Sequence, residues 1–574
     1  MSNLEIAGLF SRIADYLEIK GENPFRVRAY RRAAQALEGL AEDVALVAER
    51  AGLQAIPGIG KDLAGKIAEY LAAGRIAYLE ELHAEIPAGV IDLLGVRGLG
   101  PKTARMLYER LGVDSVETLE ALASSHRLAG LPGIQARTEE NILKGIAVWR
   151  SGRERMPLGT AAGLAEAIAA RFRELPGVER VESAGSLRRM RETVKDIDLL
   201  AISRDPSSIM AALAGLPDVA EVLLRGDTRS SVRLREGIQV DLRVLDPGSF
   251  GAALQYFTGS KQHNIRLREL AQQRGLTVNE YGVFREATGE RIAGRTEEEV
   301  YGAVGLPWIP PELREDSGEI EAAREGRLPT LLCLEDIRGD LQLHSTWSDG
   351  ALSLADLAEA VRARGYQYMA VTDHSRSTTV AGGMTAAEVV EMIREVRALN
   401  ATLRGFRVLA GCEVDILADG SLDYPDEILR QLDLVQVSVH SRFTMPRDEM
   451  TRRIERAVRH PLVHILGHPT GRLLGERAAY EVDLEAVLRA AREAGTAVEI
   501  NASPSRLDLN DLHARRAQEL GVLLTVSTDA HTASQLDFMR FGVAVARRAW
   551  LGPAEVLNAR PEAELLAWLD RTRV

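Results

Sequence analysis

The C-terminal half of the sequence contains seven short apolar runs, each ending in polar residues and followed by a stretch with helical spacing. In order between residues 339 and 531 they are GDLQLHS, MAVTDHS, VLAGCEVDI, LVQVSVHS, VHILGHP, AVEINAS and LLTVSTDAH. Strands that alternate with helices form parallel sheets, in which the carboxyl ends of the strands lie on one rim. The pattern therefore predicts a distorted (βα)7 barrel over residues 336–574, with its site on that rim.

Histidines are concentrated at the ends of these predicted strands. Eight of the eleven histidines follow residue 336. One histidine at a strand end is usually packed or exposed, but five histidines and three carboxylates on one rim would be costly without bound cations. We therefore predict a metal cluster made of His344, His374, His440, His468, His531, Asp349, Glu413 and Asp529.

A second group of carboxylates lies in the centre of the chain, in AGSLRRMRETVKDIDLLAI at residues 184–202. Asp196 and Asp198 are one residue apart on a predicted strand, so the strand period of two places them on the same face. Asp241, in IQVDLRVL, is a candidate third carboxylate from a neighbouring strand. Hard oxygen ligands suit Mg²⁺ or Mn²⁺, and two such ions can activate a 3′-hydroxyl and stabilise a leaving pyrophosphate.

A glycine turn precedes these carboxylates. Gly185 and Ser186 predict N–H and hydroxyl donors for a triphosphate, and Arg189 is a further phosphate donor. A Gly-Ser turn followed by Asp-x-Asp is typical of the nucleotidyltransferase superfamily. Together with YFTGS at 256–260 and VNEYGVF at 278–284, it makes residues 5–310 resemble the family X DNA polymerases, such as polymerase beta.

This resemblance implies an α+β nucleotidyltransferase palm that fills gaps in base excision or end repair. Its partners would be gapped or nicked DNA and dNTPs, with Mg²⁺ or Mn²⁺ as cofactor. Lys261 stands where the family has an acidic residue. The implied nucleotide-binding residues are Tyr256, Phe257, Gly259 and Ser260 at the sugar, Asn264 at the base, Arg268 on the template side and Arg155 at the triphosphate.

The first 150 residues have helical periodicity interrupted by Gly-rich turns. A repeat occurs as PGIGKDLAGKI at 57–67 and RGLGPKTARML at 97–107, with a degenerate third copy at 132–142. Such turns let backbone N–H groups at a helix start approach a phosphate. We predict helix-hairpin-helix DNA binding through Gly58, Gly60, Gly98 and Gly100, the alternative being a helical bundle with plain glycine turns.

The N-terminal segment NPFRVRAYRRAAQAL and the helix after the first hairpin also resemble the deoxyribose-phosphate lyase domain of polymerase beta. The Schiff-base lysine of that family falls on Lys66. Asp62, which replaces a supporting lysine, favours the protonated amine and so opposes nucleophilic attack. Lys66 is therefore either a lyase nucleophile or a phosphate contact.

The motifs QLHSTWSDG, VTDHS, CEVD, SVHS, GHP and TDAH resemble, in this order, the polymerase and histidinol phosphatase (PHP) domain. The resemblance implies up to three Mn²⁺ or Zn²⁺ ions, held by His344, Glu413 and Asp529, by Glu413, His440 and His468, and by Asp349, His374 and His531. Gln342 replaces the first histidine of the family motif, which favours Mn²⁺ at the first site. The implied chemistry is metal-assisted phosphoester hydrolysis: a 3′–5′ exonuclease, a 3′-phosphodiesterase or incision at abasic sites.

Two alternatives remain open: a histidinol-phosphate type phosphatase fused to a DNA-binding module, and a non-catalytic DNA scaffold. The net charge of −12 does not exclude DNA binding, because residues 311–574 carry 31 basic and 41 acidic side chains and account for most of it. Two cysteines, the lack of an 18-residue apolar run and a non-basic N-terminus predict a cytoplasmic protein that does not bind membranes. We expect a monomer.

The predicted domains follow from these patterns. They are a lyase-like helical domain at 1–90, a second helix-hairpin-helix domain at 91–154, a palm at 155–245, a nucleotide-selection domain at 246–310, an exposed linker at 311–335 and the PHP domain at 336–574.

Overall fold

The structure is a computed structural model that describes residues 3–38, 44–50, 52–56, 58–96, 99–128 and 155–571, with isolated stretches between 131 and 146. It divides into two compact units, Met1–Arg155 and Met156–Val574. No helix among the residues described is long and apolar enough to cross a membrane.

The described part of the first unit is helical, which confirms the prediction for this region. Its buried face is a continuous apolar cluster that includes Phe10, Leu37 and Leu107. The helices are α1 (Asn3–Lys20), α2 (Pro24–Glu38), α3 (Val44–Arg50), α4 (Lys61–Ala73), α5 (Ala77–Glu85), α6 (Ala88–Asp92), α7 (Pro101–Leu111) and α8 (Val116–Ser124).

The two hairpin repeats form equivalent turns. Gly60 precedes α4 and Gly100 precedes α7, each in extended conformation and with no side chain capping the helix. Gly58 has a φ of 84°, which favours glycine. Gly98 and most of the third repeat lie outside the described residues.

The second unit begins with a five-stranded palm sheet in the order β2-β4-β7-β6-β5. β4 and β7 are parallel, and the other neighbours are antiparallel. The elements are β1 (Met156–Pro157), α9 (Leu158–Arg173), β2 (Val178–Ser183), α10 (Gly185–Arg188), β3 (Thr193–Val194), β4 (Asp196–Ser203), α11 (Pro206–Ala214), β5 (Val219–Arg225), β6 (Arg229–Leu234) and β7 (Gln239–Val244).

A smaller α+β layer follows the palm, with its own apolar cluster. It consists of α12 (Phe250–Thr258), α13 (Lys261–Gln272), β8 (Leu276–Asn279), β9 (Gly282–Arg285), β10 (Arg291–Ala293), α14 (Glu297–Ala303) and α15 (Glu319–Arg324). The expectation of an exposed linker at 311–335 is wrong for much of that segment. Arg314 and Glu319 are fully buried, and Leu313 and Ile320 belong to the apolar cluster.

The C-terminal part is the predicted seven-stranded parallel barrel, with strands in sequential order. The last strand returns to the first, because His344 N donates to Ala530 O at 3.0 Å and Asp529 N to Gln342 O at 3.1 Å. The strands are β11 (Gly339–Leu343), β12 (Tyr368–Val371), β13 (Arg407–Asp415), β14 (Leu434–Ser438), β15 (Ile465–Leu466), β16 (Ala497–Asn501) and β17 (Leu524–Ser527).

The helices of this part cover the outside of the barrel. They are α16 (Leu354–Arg362), α17 (Ala386–Thr402), α18 (Asp426–Leu429), α19 (Arg447–Val458), α20 (Leu484–Ala494), α21 (Asp511–Glu519), α22 (Met539–Arg548) and α23 (Glu562–Arg571).

Candidate active sites

The palm places its three carboxylates on two neighbouring parallel strands. Asp198 on β4 is registered directly opposite Asp241 on β7, and Asp196 lies two residues earlier on the same face of β4. Ile197 and Leu199, on the opposite face, are fully buried in the core. Since adjacent strands are about 4.8 Å apart, the carboxylates form one cluster.

The negative charge of these three carboxylates is only partly offset by neighbouring arginines. Burial, followed by the charges of Asp196 and Asp241, raises the pKa of Asp198 to about 7. Arg243 and Arg189 lower it only in part. Converging carboxylates that disfavour their own ionisation fit a divalent cation with oxygen ligands.

The turn before β4 is shaped around Asp198. Gly185 has a φ of 61°, and a Cβ at this position would lie 2.3 Å from Asp198 Oδ2. Ala184 N donates to the Asp198 carbonyl at 2.9 Å, which ties the turn to the strand. Ser186 follows in the short helix α10, so the Gly-Ser turn lies next to the carboxylates.

Arg189 has a partner that the sequence does not reveal. Its Nε donates to Glu315 Oε1 at 3.0 Å, and its Nη1 donates to the carbonyl of Thr258. The neighbouring Arg188 is paired with Glu297 at 2.8 Å. The two arginines after the Gly-Ser turn therefore hold the palm against the layer that carries YFTGS.

The YFTGS segment ends α12 and starts α13. Gly259 has a φ of 68°, and the Ser260 hydroxyl caps α13 by accepting from His263 N at 3.3 Å. Tyr256 and Phe257 are half-buried and pack edge to face, with ring centroids 5.2 Å apart. The segment thus presents a rigid turn beside the palm.

The Asn264 side chain is fixed in orientation. Its Oδ1 accepts from Gln255 Nε2 at 2.7 Å, and its Nδ2 donates to the Tyr256 carbonyl at 2.7 Å. The exposed Arg268 donates to the Asn264 carbonyl at 3.2 Å. Arg155, which is exposed, is the last residue of the first unit.

The barrel rim gathers the predicted histidines and carboxylates into three overlapping groups, in each of which the ligand atoms lie within 4.8 Å of one another. The groups are His344, Asp349, His374 and His531; His374, Glu413 and His440; and His344, Glu413 and Asp529. The first differs from the predicted set by including His344, and the second has His374 where His468 was predicted.

Glu413 is the centre of this arrangement. Its carboxylate lies 2.8 Å from His468 Nε2, 3.3 Å from His374 Nδ1 and 3.4 Å from His440 Nε2. Burial opposes its ionisation, but these imidazoles hold the pKa of Glu413 well below its usual range. A buried carboxylate that contacts several imidazoles is suited to bridge two cations.

The imidazoles at the rim fit cation binding better than mutual packing. His344 and His531 stack with centroids 4.2 Å apart, and the buried Nδ1 of His344 has no hydrogen-bond partner among the described residues. His468 and Asp529 have φ values of 25° and 57°, so backbone strain is concentrated where the groups converge. Nitrogen and oxygen donors together suit Mn²⁺ or Zn²⁺.

Sequence reasoning missed residues that orient the ligands. Asp415 Oδ1 lies 2.9 Å from His440 Nδ1 and so positions that ring. Its signal was present, because Asp415 is two residues after Glu413 on one strand and shares its face. Glu499, in the run AVEINAS, is fully buried and accepts from His468 N at 2.7 Å, a contact that the run itself does not indicate.

Gln342 lies in the barrel interior beside Glu499. With its amide oriented to donate to Glu499, it lies 3.0 Å from Oε2 and accepts from Gln436 Nε2 at 3.0 Å. The residue at the position of the family's first histidine is thus engaged in a buried amide–carboxyl cluster.

In the first unit, Lys66 lies on α4 one turn after Asp62. Its Nζ is 2.7 Å from Asp62 Oδ1 and 5.3 Å from the centre of the Tyr78 ring. The lysine side chain is 14% exposed, whereas that of Asp62 is 74% exposed. The amine is thus mostly covered, while its carboxylate partner faces the solvent.

Family models match four parts of the chain. They describe a helix-hairpin-helix domain at residues 1–76, a SAM-like helix-hairpin-helix tandem at 90–147, a DNA polymerase beta thumb at 253–315 and a PHP domain at 340–503. Fold and matches together define the class: a nucleotidyltransferase palm and thumb joined to a PHP barrel.

The chain is also similar to whole proteins. The chain is 42% identical over 573 residues to "DNA polymerase/3′-5′ exonuclease PolX" of Bacillus subtilis (strain 168), covering 100% of both chains. It is 27% identical over 343 residues to DNA polymerase lambda of Rattus norvegicus, covering 54% of this chain and 56% of that one. The chain belongs to the bacterial family X DNA polymerases with a C-terminal PHP domain.

A probable phosphatase of Thermoanaerobacter sp. (strain X514) is 31% identical over 230 residues, which is 38% of this chain and 89% of the relative. This match leaves most of the chain, including a palm and thumb, without a counterpart.

Proposed function

We propose that the chain is a template-directed DNA polymerase that fills short gaps, and that its PHP domain shortens DNA from the 3′ end. The observation that carries the polymerase proposal is the register of Asp198 against Asp241, with Asp196 on the same face. These carboxylates would hold Mg²⁺ or Mn²⁺, which supplies charge for nucleotidyl transfer.

The chain's own residues would bind and orient the nucleotide around this cluster. Gly185 and Ser186 offer donors to the triphosphate, and the YFTGS turn presents Tyr256 and Phe257 to the sugar. Asn264 has its oxygen and one N–H engaged. Its remaining N–H can donate to the minor-groove acceptor that every base offers, which suits a site that accepts all four nucleotides.

The nuclease proposal rests on the three overlapping groups at the barrel rim. Ions held there would supply a metal-activated water and positive charge to phosphate oxygens. Glu413 would bridge two of the groups, and Asp415 would orient His440. The uncapped helix starts after Gly60 and Gly100 would bind the DNA backbone without sequence preference.

The experiment that tests both activities uses a 5′-labelled primer on a one-nucleotide gap with Mn²⁺, with and without dNTPs. We expect wild type to extend the primer when dNTPs are present and to shorten it when they are absent. Asp198→Ala should abolish extension only, and His374→Ala should abolish shortening only, because the two residues lie in separate clusters. A wild-type chain that does neither would contradict the proposal.

The same preparations distinguish the phosphatase alternative, since a small-molecule phosphatase would release phosphate from histidinol phosphate and leave the primer intact. The scaffold alternative requires DNA binding without turnover in Mg²⁺ or Mn²⁺. Neither the phosphatase nor the scaffold needs the three palm carboxylates, so the complete set of carboxylates favours neither alternative.

Lyase activity of Lys66 is a separate proposal with its own prediction. Lys66 Nζ donates to Asp62 Oδ1 at 2.7 Å, so the amine must leave this ion pair before it can attack a sugar aldehyde. We expect borohydride trapping of an abasic-site adduct to be weak in wild type, several-fold stronger in Asp62→Asn and absent in Lys66→Ala. Equal trapping in wild type and both variants would mean that the adduct forms on another amine, and would contradict the lyase role of Lys66.

A further inference from the structure

One arginine of the PHP barrel reaches the polymerase half at the Gly-Ser turn. Arg548, the last residue of α22, has a side chain that is 5% exposed. Its Nη1 donates to the carbonyl of Arg189 at 2.8 Å and to Glu315 Oε1 at 3.0 Å. Its Nη2 lies 2.6 Å from Asp511 Oδ2 on α21. The barrel therefore contacts the very residue that the palm would offer to a triphosphate.

Glu315 is shared between the two halves. The same oxygen, Oε1, lies 3.0 Å from Arg189 Nε and 3.0 Å from Arg548 Nη1, and 4.0 Å from Arg191 Nη1. Although burial opposes ionisation, the charges of Arg548 and Arg189 lower the pKa of Glu315. A single carboxylate thus serves three guanidinium groups.

The charges of this cluster do not cancel. Within the ion pairs of this cluster, three arginines, Arg189, Arg191 and Arg548, face two carboxylates, Glu315 and Asp511, which leaves one positive charge in excess. Asp198, whose charge also acts on Arg189, lies outside these pairs. Arg189 is largely buried, and interactions between charges in such surroundings are stronger than in water. The balance of this cluster therefore affects how strongly Arg189 can attract a phosphate.

We propose that Arg548 is a positioning residue for nucleotide binding, which acts by sharing Glu315 and so leaving Arg189 with charge available to the triphosphate. The inference rests on the proposed polymerase function and on Arg189 as a phosphate donor. Without Arg548, Glu315 would neutralise Arg189 and compete with the incoming nucleotide. Through Arg548 the PHP barrel then contributes to the polymerase reaction by way of Arg189, and Arg548 itself need not contact the nucleotide.

The test measures KM and kcat for a dNTP on a one-nucleotide gap, using the full chain. We expect Arg548→Met to raise KM by roughly tenfold with little change in kcat, the pattern of lost ground-state binding. Adding Glu315→Gln to Arg548→Met should return KM to near the wild-type value, because it restores the excess charge. Asp511→Asn should lower KM, because it adds to that excess.

Arg547 provides a matched control. It is the neighbouring residue on α22, and it also ties the barrel to the polymerase half, through Glu312 at 2.7 Å, but it contacts neither Arg189 nor Glu315 among the pairs described. Arg547→Met should leave KM unchanged. Primer shortening by the same preparations reports whether each variant keeps an intact barrel.

The outcomes are distinct. An equal rise of KM in Arg547→Met, or a double variant no better than Arg548→Met, would overturn the proposal in favour of a loosened interface. Should Arg548→Met fail to fold, Asp511→Asn decides, since a raised or unchanged KM there overturns the proposal. A wild-type chain that extends no primer overturns the proposed function itself, whereas normal extension with unchanged KM in Arg548→Met overturns only the role of Arg548.

Discussion

Asp198→Asn is expected to lower primer extension by at least about a thousandfold, the scale on which loss of an electrostatic partner of the transition state is felt, while making the metal-free protein more stable at pH 8. The two effects have one cause. Asp198 is half-buried beside Asp196 and Asp241, and its pKa is raised to about 7. The amide keeps the shape of the side chain but removes a negative charge that the fold disfavours.

The pH dependence has a definite sign. A carboxyl whose pKa is higher in the folded than in the unfolded protein binds its proton more tightly when folded. Its stabilising contribution is complete below about pH 4 and is lost as the pH rises to about 7. At pH 8 in EDTA, Asp198→Asn should therefore melt several degrees above wild type, reflecting on the order of 2–4 kcal/mol.

The measurement is thermal unfolding at pH 5 and pH 8, in EDTA and in Mg²⁺. The advantage of the variant should shrink at pH 5, where the wild-type carboxyl is protonated, and in Mg²⁺, where a cation offsets the repulsion. A variant that melts below wild type in EDTA at pH 8 would show that Asp198 is not electrostatically frustrated in the palm.

Glu413→Gln is expected to abolish primer shortening, by at least about a thousandfold, without affecting extension. The carboxylate faces His374, His440 and His468, and it belongs to two of the three ligand groups. An amide cannot supply the charge that holds cations among these imidazoles. Bound metal per chain, measured by elemental analysis after incubation with Mn²⁺, should fall to at most one ion.

Glu391→Gln is the control for this substitution, because Glu391 is an exposed carboxylate on α17, outside the rim. It should retain both wild-type metal content and primer shortening. If Glu413→Gln lost nuclease activity but kept its metal, the bridging role of the carboxylate would be disproved, and a role in positioning histidines would replace it.

The strand ends and their ligands could be predicted because each is marked by a pattern of neighbouring residues in the sequence. Period-two spacing placed Asp196 and Asp198 on one face, and the seven apolar runs correspond to β11–β17. Glu499 lies within the predicted run AVEINAS, but a single glutamate inside an apolar strand does not show that it contacts His468, which becomes visible only in the closed barrel. The grouping of His374 with Glu413 and His440 likewise depends on side-chain directions that strand order does not determine.

The partners of Arg189 and Arg314 could not be predicted either, because no local pattern indicates a contact between residues far apart in the chain. Arg189 meets Glu315 across 126 residues and is contacted by Arg548 across 359. A Pro-Pro start and mixed charge predicted an exposed linker at 311–335, but neither reveals that Arg314 has Glu297 as a buried partner at 2.6 Å. A charged segment can be buried when its charges have partners, and those partners can lie far away in the chain.

The return of the last barrel strand to the first has a consequence for the order in which the two activities arise during synthesis. Asp529 meets His344 from 185 residues further along the chain, at 3.1 Å. The palm carboxylates are all translated by residue 241, whereas the rim lacks its final members until the ribosome has passed residue 531. A nascent chain therefore contains all three palm carboxylates long before it can close the rim, and a chain that ends before residue 529 would have the first group without the second.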